Sequence, residues 1–338
     1  MRAVLFAFTA RGKRTALRVR DALSEADILL RTPEKLADAD FDAYNGALPD
    51  YVGGVFDRDA LVFVGAAGIA VRAVAPHVAS KRSDPAVLCL DEAGRFVIPI
   101  LSGHIGGANR LARRLAGALG ATSVITTATD VNGRFSVDAW AAEHGMAITS
   151  MPLAKRVSAE ILTRDIPFFT DAARPERLAD GLFWSDAGDL GVCVSVRDLR
   201  PFEETLLLVP RALRVGIGCR RGTSAGAIHE AVEKVLSDNS LRIEAVREAA
   251  SIDLKSDEPG LLECCRALGW PITFYTSEAL NAVEGDFLPS AFVKRTVGVD
   301  NVCARAAAAS GGRIIVPKTA LNGVTVSVAE LKWGIEFG

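Results

Sequence analysis

Residues 1–32 read MRAVLFAFTARGKRTALRVRDALSEADILLRT, and this stretch decides the fold class. The apolar run MRAVLFAFT predicts a strand, the polar ARGKR a turn, and the periodic TALRVRDALSEA a helix. DILLRT is rich in branched aliphatic residues and predicts a second strand. A strand, a helix and a strand in this order are typical of a βαβ unit, so the sequence predicts an α/β protein.

The alternation of strands and helices continues to about residue 145. ALVFVG, starting at Ala60, predicts a buried strand, which a glycine-rich turn joins to a short helix ending near Pro76. The next segment, PAVLCLDEAGRFVIPI, predicts two strands joined by an acidic turn, most simply a hairpin. After the motif SGHIGGAN, which begins at Ser102, the pattern predicts a helix to about Leu119, a strand SVITTAT and a helix SVDAWAAEHG.

The chain as a whole predicts a multi-domain protein of layered α/β sheets. We expect an N-terminal α/β domain over residues 1–130 that carries the SGHIGGAN motif, a small middle domain over 131–210, and a C-terminal α/β domain over 211–338. The middle part has short elements interrupted by prolines, whereas LRVGIGCRRGTSAGAIHEAVEKVL restarts the order of strand, glycine loop and helix. Near the end, Asn322-Gly323 lies between two β-branched runs and predicts a type I′ hairpin turn.

Composition excludes several classes of protein. The 338 residues are 49% hydrophobic and carry a formal net charge of -2, without the basic block that is the electrostatic signature of nucleic-acid binding. The apolar run AVLFAFTA is far shorter than the roughly 20 residues of a membrane span and has no cleavage site, so we expect a cytoplasmic protein. The six cysteines lack metal-ligand spacing, and we interpret them as reduced thiols in a chain with no metal site of its own.

The loop SGHIGGAN allows three interpretations. Gly103, Gly106 and Gly107 precede a predicted helix, so their amides are candidate donors to an anionic ligand. The spacing matches neither GxGxxG nor the P-loop, which disfavours a nucleotide site. The glycines also fit a tight turn that lets a helix pack on a sheet. The third interpretation is catalytic and depends on the polar residues of the loop.

Those polar residues are Ser102, His104 and Asn109, which follow the predicted strand FVIPIL. Open α/β sheets place ligands at the carboxyl ends of their strands, and there an imidazole can exchange protons near neutral pH. Ser102 or exposed amides are candidate donors to an oxyanion. In TTATDVNGRF, Asp130 is a candidate to orient His104 or to act as a base, and Thr127 is a candidate to bind substrate. Helix capping and turn formation by Thr129, Asp130 and Asn132 is the alternative.

Two loops contain candidate cations for an anionic ligand. SKRSDPAV carries Lys81 and Arg82, and GIGCRRGTS carries the adjacent arginines Arg220 and Arg221 before a predicted helix. In the second loop Thr223 and Ser224 are candidate substrate-binding groups, and either fits the position of the helix N-cap. A solvated surface loop is the alternative interpretation for both.

Several long motifs together resemble one family. The stretch from Val64 to Ala141, and the later motifs GIGCRRGTS, SIDLKSDEPGLLE, TVGVDNVCARAAAAS and PKTALNGVTVSVAE, are similar to the cobalt-precorrin-5A hydrolases, the CbiG proteins of anaerobic cobalamin (vitamin B12) biosynthesis. The likeness spans nearly the whole chain and is weakest in the middle. It departs from the family at Ala304, where relatives commonly have glutamate, so no role of that acid is carried over.

The resemblance implies a hydrolase that acts on a cobalt-containing tetrapyrrole. The family opens the δ-lactone formed from the ring A acetate, and C20 leaves with its methyl group as acetaldehyde to give cobalt-precorrin-5B. Cobalt would then enter with the substrate, and no cofactor is expected. A homodimer and contacts with neighbouring enzymes of the pathway are compatible with this interpretation. The alternatives are a corrinoid carrier with little catalytic power and, from the glycine loops, a nucleotide-binding enzyme.

This chemistry gives the candidate residues roles. Lactone opening needs an activated water and an oxyanion site, which His104, Ser102 and the loop amides would supply. Release of acetaldehyde needs a base for the freed hydroxyl group, and His104 and Asp130 are both candidates. The acetate and propionate groups of the substrate need cationic partners, for which the candidates are Lys81, Arg82, Arg220 and Arg221.

Overall fold

The computed structural model describes residues 1–80, 83–289, 295 and 298–337. The chain forms two compact units, Met1–Ala142 and Glu143–Gly338. The described residues build three sheets of seven, five and five strands, with helices packed on them. The predicted α/β class is therefore confirmed. The division at residues 130 and 210 into three domains stays a prediction.

The first unit is built on a seven-stranded sheet with the order β3-β2-β1-β4-β5-β6-β7. Its strands are β1 (Arg2–Ala7), β2 (Asp27–Thr32), β3 (Asp42–Ala43), β4 (Ala60–Val64), β5 (Ala86–Leu90), β6 (Phe96–Leu101) and β7 (Thr122–Ser123). The helices are α1 (Ala10–Ala22), α2 (Leu48–Gly53), α3 (Ala67–Val74), α4 (Ala108–Leu119), α5 (Ala128–Val131) and α6 (Val137–Glu143). Short 3-10 turns cover Glu34–Leu36 and Ala75–His77.

Helices cover both faces of this sheet, which explains its continuous apolar strands. All residues of β4 and β5 are buried. Helices α1 and α4 pack on one face, for example through Val19 and Leu115, and α2 and α3 pack on the other through Val52 and Val74. Parallel strands that are buried on both faces read as hydrophobic runs without polar alternation.

Strand β6 runs against its neighbour β5, as the predicted hairpin requires. Strands β1, β2, β4 and β5 are parallel, whereas β6 pairs with β5 antiparallel, so that Val87 lies opposite Leu101. The carboxylate of Asp91 closes the turn by accepting the amides of Arg95 and Phe96 at 2.7 and 2.8 Å. The end of β6, where the SGHIGGAN loop begins, therefore lies at the amino-terminal edge of the parallel strands.

Two predicted elements are wrong. Helix α1 begins at Ala10, so ARGKR is helical and not a turn, because the Thr9 hydroxyl caps the helix by accepting the amide of Gly12 at 2.9 Å. SVITTAT is not a strand: only Thr122–Ser123 pairs with β6, through residues that end at Val97. The next residue of β6 that would donate to this neighbour is Pro99, which has no N–H.

The second unit holds two five-stranded sheets. One has the order β10-β9-β11-β12-β8, with β8 (Ala147–Ile148), β9 (Ile166–Thr170), β10 (Leu182–Trp184), β11 (Leu190–Val194), β12 (Glu204–Val209) and the helix α7 (Met151–Glu160). The other has the order β15-β14-β13-β17-β16, with β13 (Leu213–Cys219), β14 (Val246–Ile252), β15 (Ile272–Tyr275), β16 (Arg313–Leu321) and β17 (Val324–Glu330).

The helices of this second sheet are α8 (Ala225–Asp238), α9 (Pro259–Ala267), α10 (Ser277–Asn281) and α11 (Val302–Ala308), with 3-10 turns over Ile243–Ala245 and Asp253–Lys255. The final hairpin is confirmed: Asn322 and Gly323 both have positive φ, 48° and 86°, as a type I′ turn requires. Among the described residues, no helix is long and apolar enough to cross a bilayer.

Candidate functional site

The loop between β6 and α4 is held in a tight conformation. Ser102 has a positive φ of 57°, and its hydroxyl donates to the carbonyl of Asp84 at 2.9 Å. A Cβ on Gly106 would lie 2.3 Å from the Cβ of Ser102, so only glycine fits there. Gly107 has φ 79° and donates its amide to the carbonyl of His104 at 2.9 Å. The glycines thus let the loop fold back on its own first residue.

His104 lies between two carboxylates. Its Nε2 is 3.1 Å from Oδ2 of Asp130, and its Nδ1 is 3.1 Å from Oδ1 of Asp138. A carboxylate can only accept hydrogen bonds, so the ring donates to both partners only when both nitrogens are protonated. The contact with Asp138 raises the pKa of His104; partial burial opposes this rise, and Asp130 adds to it. The side chain is 20% exposed and so remains accessible to solvent.

Asp130 collects hydrogen bonds from four side chains. They come from Thr127, from Asn109 at 2.9 Å, from Arg113 and from His104. Burial pushes the pKa of Asp130 upward, but the hydrogen bonds from Thr127, Arg113 and His104 outweigh it, and the net pKa is lowered. A carboxylate so well supplied with donors is a weak base. Asn109 also donates to the hydroxyl of Thr127 at 2.9 Å and is itself buried.

Sequence reasoning missed Asp138 and Arg113. Asp138 lies in the first turn of α6, with a side chain that is 10% exposed, and its Oδ1 accepts the Ser136 hydroxyl and the Ala139 amide, each at 3.1 Å. In the sequence it is one acid in a predicted helix, and Arg113 is one of several arginines in another. No local signal separates them from surface charges, because only the tertiary fold brings α4, α5 and α6 to the loop.

The placement of the loop corrects one argument from the sequence. We expected it at the edge where parallel strands end, but β6 is antiparallel to β5 and ends at the opposite edge. The carboxyl edge instead carries Thr9 after β1 and Glu92 after β5, whose side chains share a hydrogen bond of 2.7 Å. The general rule for ligands in open α/β sheets therefore does not support this site, which depends on its own geometry.

The C-terminal candidates form a second group, in the other compact unit. Ser224 is the N-cap of α8 and accepts the amide of Ala227 at 3.3 Å, while the Thr223 hydroxyl donates to the carbonyl of Arg220 at 2.7 Å. Arg221 pairs with Asp257 at 3.1 Å, and both side chains are exposed. Lys81 and Arg82 lie outside the described residues.

A buried acid that sequence reasoning overlooked orders this second loop. Glu258 is 1% exposed and accepts the amide of Gly222 at 2.8 Å, while Lys255 lies 3.2 Å away. The amide of Gly222 is the main cause of the lowered pKa of Glu258. A Cβ on Gly260 would lie 2.0 Å from the carbonyl oxygen of Thr223, so helix α9 also approaches the loop closely.

The cysteines do not form a nucleophilic or metal site in the described part of the chain. Burial raises the pKa of Cys89 to about 11, and burial also raises the pKa of Cys193 and of Cys265 to about 12. These thiols are therefore protonated at neutral pH and poor nucleophiles. Within residues 1–80, 83–289, 295 and 298–337, no group of three or more His, Cys, Asp or Glu side chains has the arrangement of a metal site.

Two family models match the chain. "Cobalamin synthesis G N-terminal" covers residues 52–130, and "Cobalamin synthesis G C-terminus" covers 213–329. The cobalt-precorrin-5A hydrolase of Salmonella typhimurium is 37% identical over 88% of this chain and 89% of that protein. This chain belongs to the cobalt-precorrin-5A hydrolase family. The protein of that name from Priestia megaterium is 32% identical over 80% of this chain and 78% of its own length.

A solved structure shows a likeness over a similar extent. A putative cobalamin biosynthesis protein G homologue from Sulfolobus solfataricus is 20% identical, with a TM-score of 0.42, and covers 98% of this chain and 97% of that chain. The SGHIGGAN loop and Asp130 lie within the matched N-terminal region, residues 52–130. Asp138 follows that region by a few residues.

Proposed function

We propose that this protein hydrolyses cobalt-precorrin-5A, opening the ring A acetate δ-lactone and releasing C20 with its methyl group as acetaldehyde. The observation that carries the proposal is the 37% identity to a cobalt-precorrin-5A hydrolase over 88% of the chain. The doubly hydrogen-bonded His104 supports it, because the reaction needs one proton donor and one proton acceptor in sequence. A hydrogen-bonded imidazolium can serve as both in turn.

In the first step His104 is the acid. Water attacks the lactone carbonyl carbon, and the carbonyl electron pair moves to oxygen. When the carbonyl re-forms, the ring C–O bond breaks and its oxygen takes the proton from Nε2 of His104. The protons of the attacking water pass to solvent, which leaves a carboxylate, a hydroxyl group on C20 and a neutral imidazole. The cationic resting form of His104 thus stabilises the leaving oxygen.

In the second step the neutral imidazole is the base. His104 takes back a proton from the C20 hydroxyl, a C=O bond forms, and the bond from C20 to the macrocycle breaks. The macrocycle receives the bonding pair and takes a proton from solvent, and acetaldehyde leaves. His104 ends the cycle protonated, as it began. This role revises the expectation of a simple base, since two neighbouring carboxylates favour the protonated ring.

The oxyanion of the first step needs hydrogen-bond donors. The Ser102 hydroxyl is directed to Asp84, so we assign the oxyanion to loop amides instead. In the described part of the chain, the amides of His104, Ile105 and Gly106 donate to no protein acceptor, whereas Gly107 donates within the loop. These amides precede α4, whose dipole favours negative charge at this end.

Other residues of the expected site keep supporting or binding roles in this proposal. Gly103, Gly106 and Gly107 give the loop its shape, and Asn109 and Thr127 hold Asp130. Arg220, Arg221, Thr223 and Ser224 remain candidates for binding substrate carboxylates on sequence grounds. Lys81 and Arg82 remain candidates on sequence grounds. Cobalt is part of the substrate and no cofactor is invoked; the cytoplasm, a homodimer and contacts with neighbouring pathway enzymes remain expectations.

One assay tests the reaction against its alternative. Purified protein is incubated anaerobically with cobalt-precorrin-5A, and acetaldehyde and the mass of the tetrapyrrole product are measured together. Catalytic release of acetaldehyde with formation of cobalt-precorrin-5B supports the hydrolase. Tight binding of the substrate without acetaldehyde would instead identify a corrinoid carrier. Binding of ATP or GTP at micromolar concentration would favour the nucleotide alternative.

A further inference from the structure

We propose that Asp138 is a positioning residue that holds Nδ1 of His104 while Nε2 exchanges Asp130 for the substrate. This inference rests on the proposed function, because it assigns the two ring nitrogens different tasks in that reaction. The two carboxylates lie at equal distances from the ring, 3.1 Å each, so their roles must be separated by their other contacts.

The contacts of Asp130 make it the exchangeable partner. Besides His104, it accepts hydrogen bonds from Thr127, Asn109 and Arg113. When Nε2 turns to a substrate oxygen, three donors remain on this carboxylate, and one of them is a guanidinium. The charge of Asp130 therefore stays compensated, and the cost of releasing His104 is small.

The contacts of Asp138 make it the retaining partner. Its Oδ1 is fixed from its own segment by the Ser136 hydroxyl and the Ala139 amide, each at 3.1 Å, and the Ser136 oxygen itself lies 3.4 Å from Nδ1. Asp138 thus presents an oxygen whose position is set by the first turn of α6. A carboxylate fixed at one ring nitrogen leaves the other nitrogen oriented for proton transfer, as in catalytic triads.

The charges around His104 agree with this division. The ring faces Asp130 from α5 and Asp138 from α6, and Arg113 from α4 contacts Asp130 on its far side. The guanidinium of Arg113 partly neutralises the negative charge of Asp130. Asp138 is accordingly the largest cause of the raised pKa of His104. Removing the charge of Asp138 should therefore lower this pKa.

The test compares Asp138→Asn with Asp91→Asn in the full-length protein. Asp91 closes the β5–β6 turn through backbone amides and is a matched control. The pKa of His104 is measured by NMR, and its signal is assigned as the one that is missing in His104→Gln. The kcat and KM for acetaldehyde release are measured as a function of pH. We expect Asp138→Asn to lower the His104 pKa, to move the alkaline limb of the kcat profile to lower pH, and to reduce kcat by about 100-fold or more.

In that variant KM should change by less than about threefold, since a positioning residue acts on the chemical step and not on binding. Asp91→Asn should leave the His104 pKa and kcat unchanged. Asp138→Glu, which keeps the charge, should retain part of the activity and an elevated His104 pKa. If circular dichroism shows that Asp138→Asn is unfolded, the comparison with the parent protein is made with Asp138→Glu instead.

The outcomes separate this inference from the proposed function. An unchanged His104 pKa together with kcat within threefold of the parent protein in Asp138→Asn would overturn the role of Asp138. If the parent protein releases no acetaldehyde, the proposed reaction fails, yet the NMR comparison still decides whether Asp138 holds Nδ1. An equal loss of activity in Asp138→Glu and Asp138→Asn with no change in the His104 pKa would also count against it.

Discussion

At the scale of single residues, the proposed chemistry depends on a histidine whose pKa is raised by its two carboxylate partners. His104 donates to two carboxylates, and its raised pKa follows from that arrangement. Asp130, with a lowered pKa and four donors, is poorly suited to remove a proton from the substrate. The proposal therefore gives the proton transfers to His104 alone, with the two acids as its supports.

Replacement of His104 should strongly reduce turnover. We expect His104→Ala to lower kcat for acetaldehyde release by at least about 100-fold, because a general acid–base residue typically contributes that much. His229→Ala, a change at a partly buried position of α8, is the control and should remain within a factor of two. Turnover of His104→Ala within a few-fold of the parent protein would show that another group moves the protons.

The same histidine should make stability depend on pH. A folded-state pKa raised above the ordinary value of 6.5 means that the folded protein binds this proton more tightly than the unfolded chain. The stabilisation is fully present below about pH 6.5, down to the range in which the aspartates titrate, and is lost as pH rises through the folded pKa. The free energy of unfolding in urea should therefore differ more between the parent protein and His104→Gln at about pH 5.5 than at about pH 9. An equal difference at both pH values would contradict the proposed pairing of His104 with Asp130 and Asp138.

At the scale of elements, the loop between β6 and α4 works because its backbone is compact. Gly106 lies against Ser102, and α4 starts within the same turn. The position of His104 in the loop therefore depends on a glycine packed against Ser102. This requirement can be tested against Gly117 in the following helix α4, which lies in an open position.

Gly106→Ala and Gly117→Ala form a matched pair. A Cβ at residue 106 would lie 2.9 Å from the carbonyl oxygen of Ser102, whereas a Cβ at residue 117 has no neighbour within 4 Å. We expect Gly106→Ala to destabilise the protein by about 1–3 kcal/mol and to lower kcat. Gly117→Ala should be neutral or stabilising by up to about 1 kcal/mol, because alanine is the better helix former. Thermal unfolding and the acetaldehyde assay measure both effects.

The elements also show how far the sequence predicts this protein. Hydrophobic runs and turn residues identify the βαβ opening, the hairpin closed by Asp91 and the type I′ turn at Asn322, because these are local properties. The strand prediction at SVITTAT is wrong because pairing beyond Ser123 would need an N–H from Pro99 of β6, which proline lacks. Asp138 was missed for a related reason: its contact with His104 joins residues 34 positions apart.

At the scale of the whole molecule, the chain carries its candidate groups in two separate compact units. His104 and its partners belong to Met1–Ala142, whereas Arg220 and its loop belong to Glu143–Gly338. Each group has its own buried acid that organises a loop, Asp138 in the first and Glu258 in the second. The proposal places the proton transfers at the first group; on sequence grounds, the arginines of the second group remain candidates for binding carboxylates. This division predicts different kinetic effects for substitutions in the two units.

Arg220→Ala should therefore change KM and leave kcat nearly unchanged. A charge-assisted hydrogen bond to a carboxylate contributes about 1.5–3 kcal/mol, so its loss should raise KM for cobalt-precorrin-5A by about 10-fold or more. Arg247→Ala removes another exposed arginine of the same unit, on β14, and should leave KM within a factor of two. A fall in kcat without a change in KM for Arg220→Ala would instead link this loop to the chemical step. No effect on either constant would remove Arg220 from the substrate site, since a bound carboxylate cannot lose its cation without a loss of affinity.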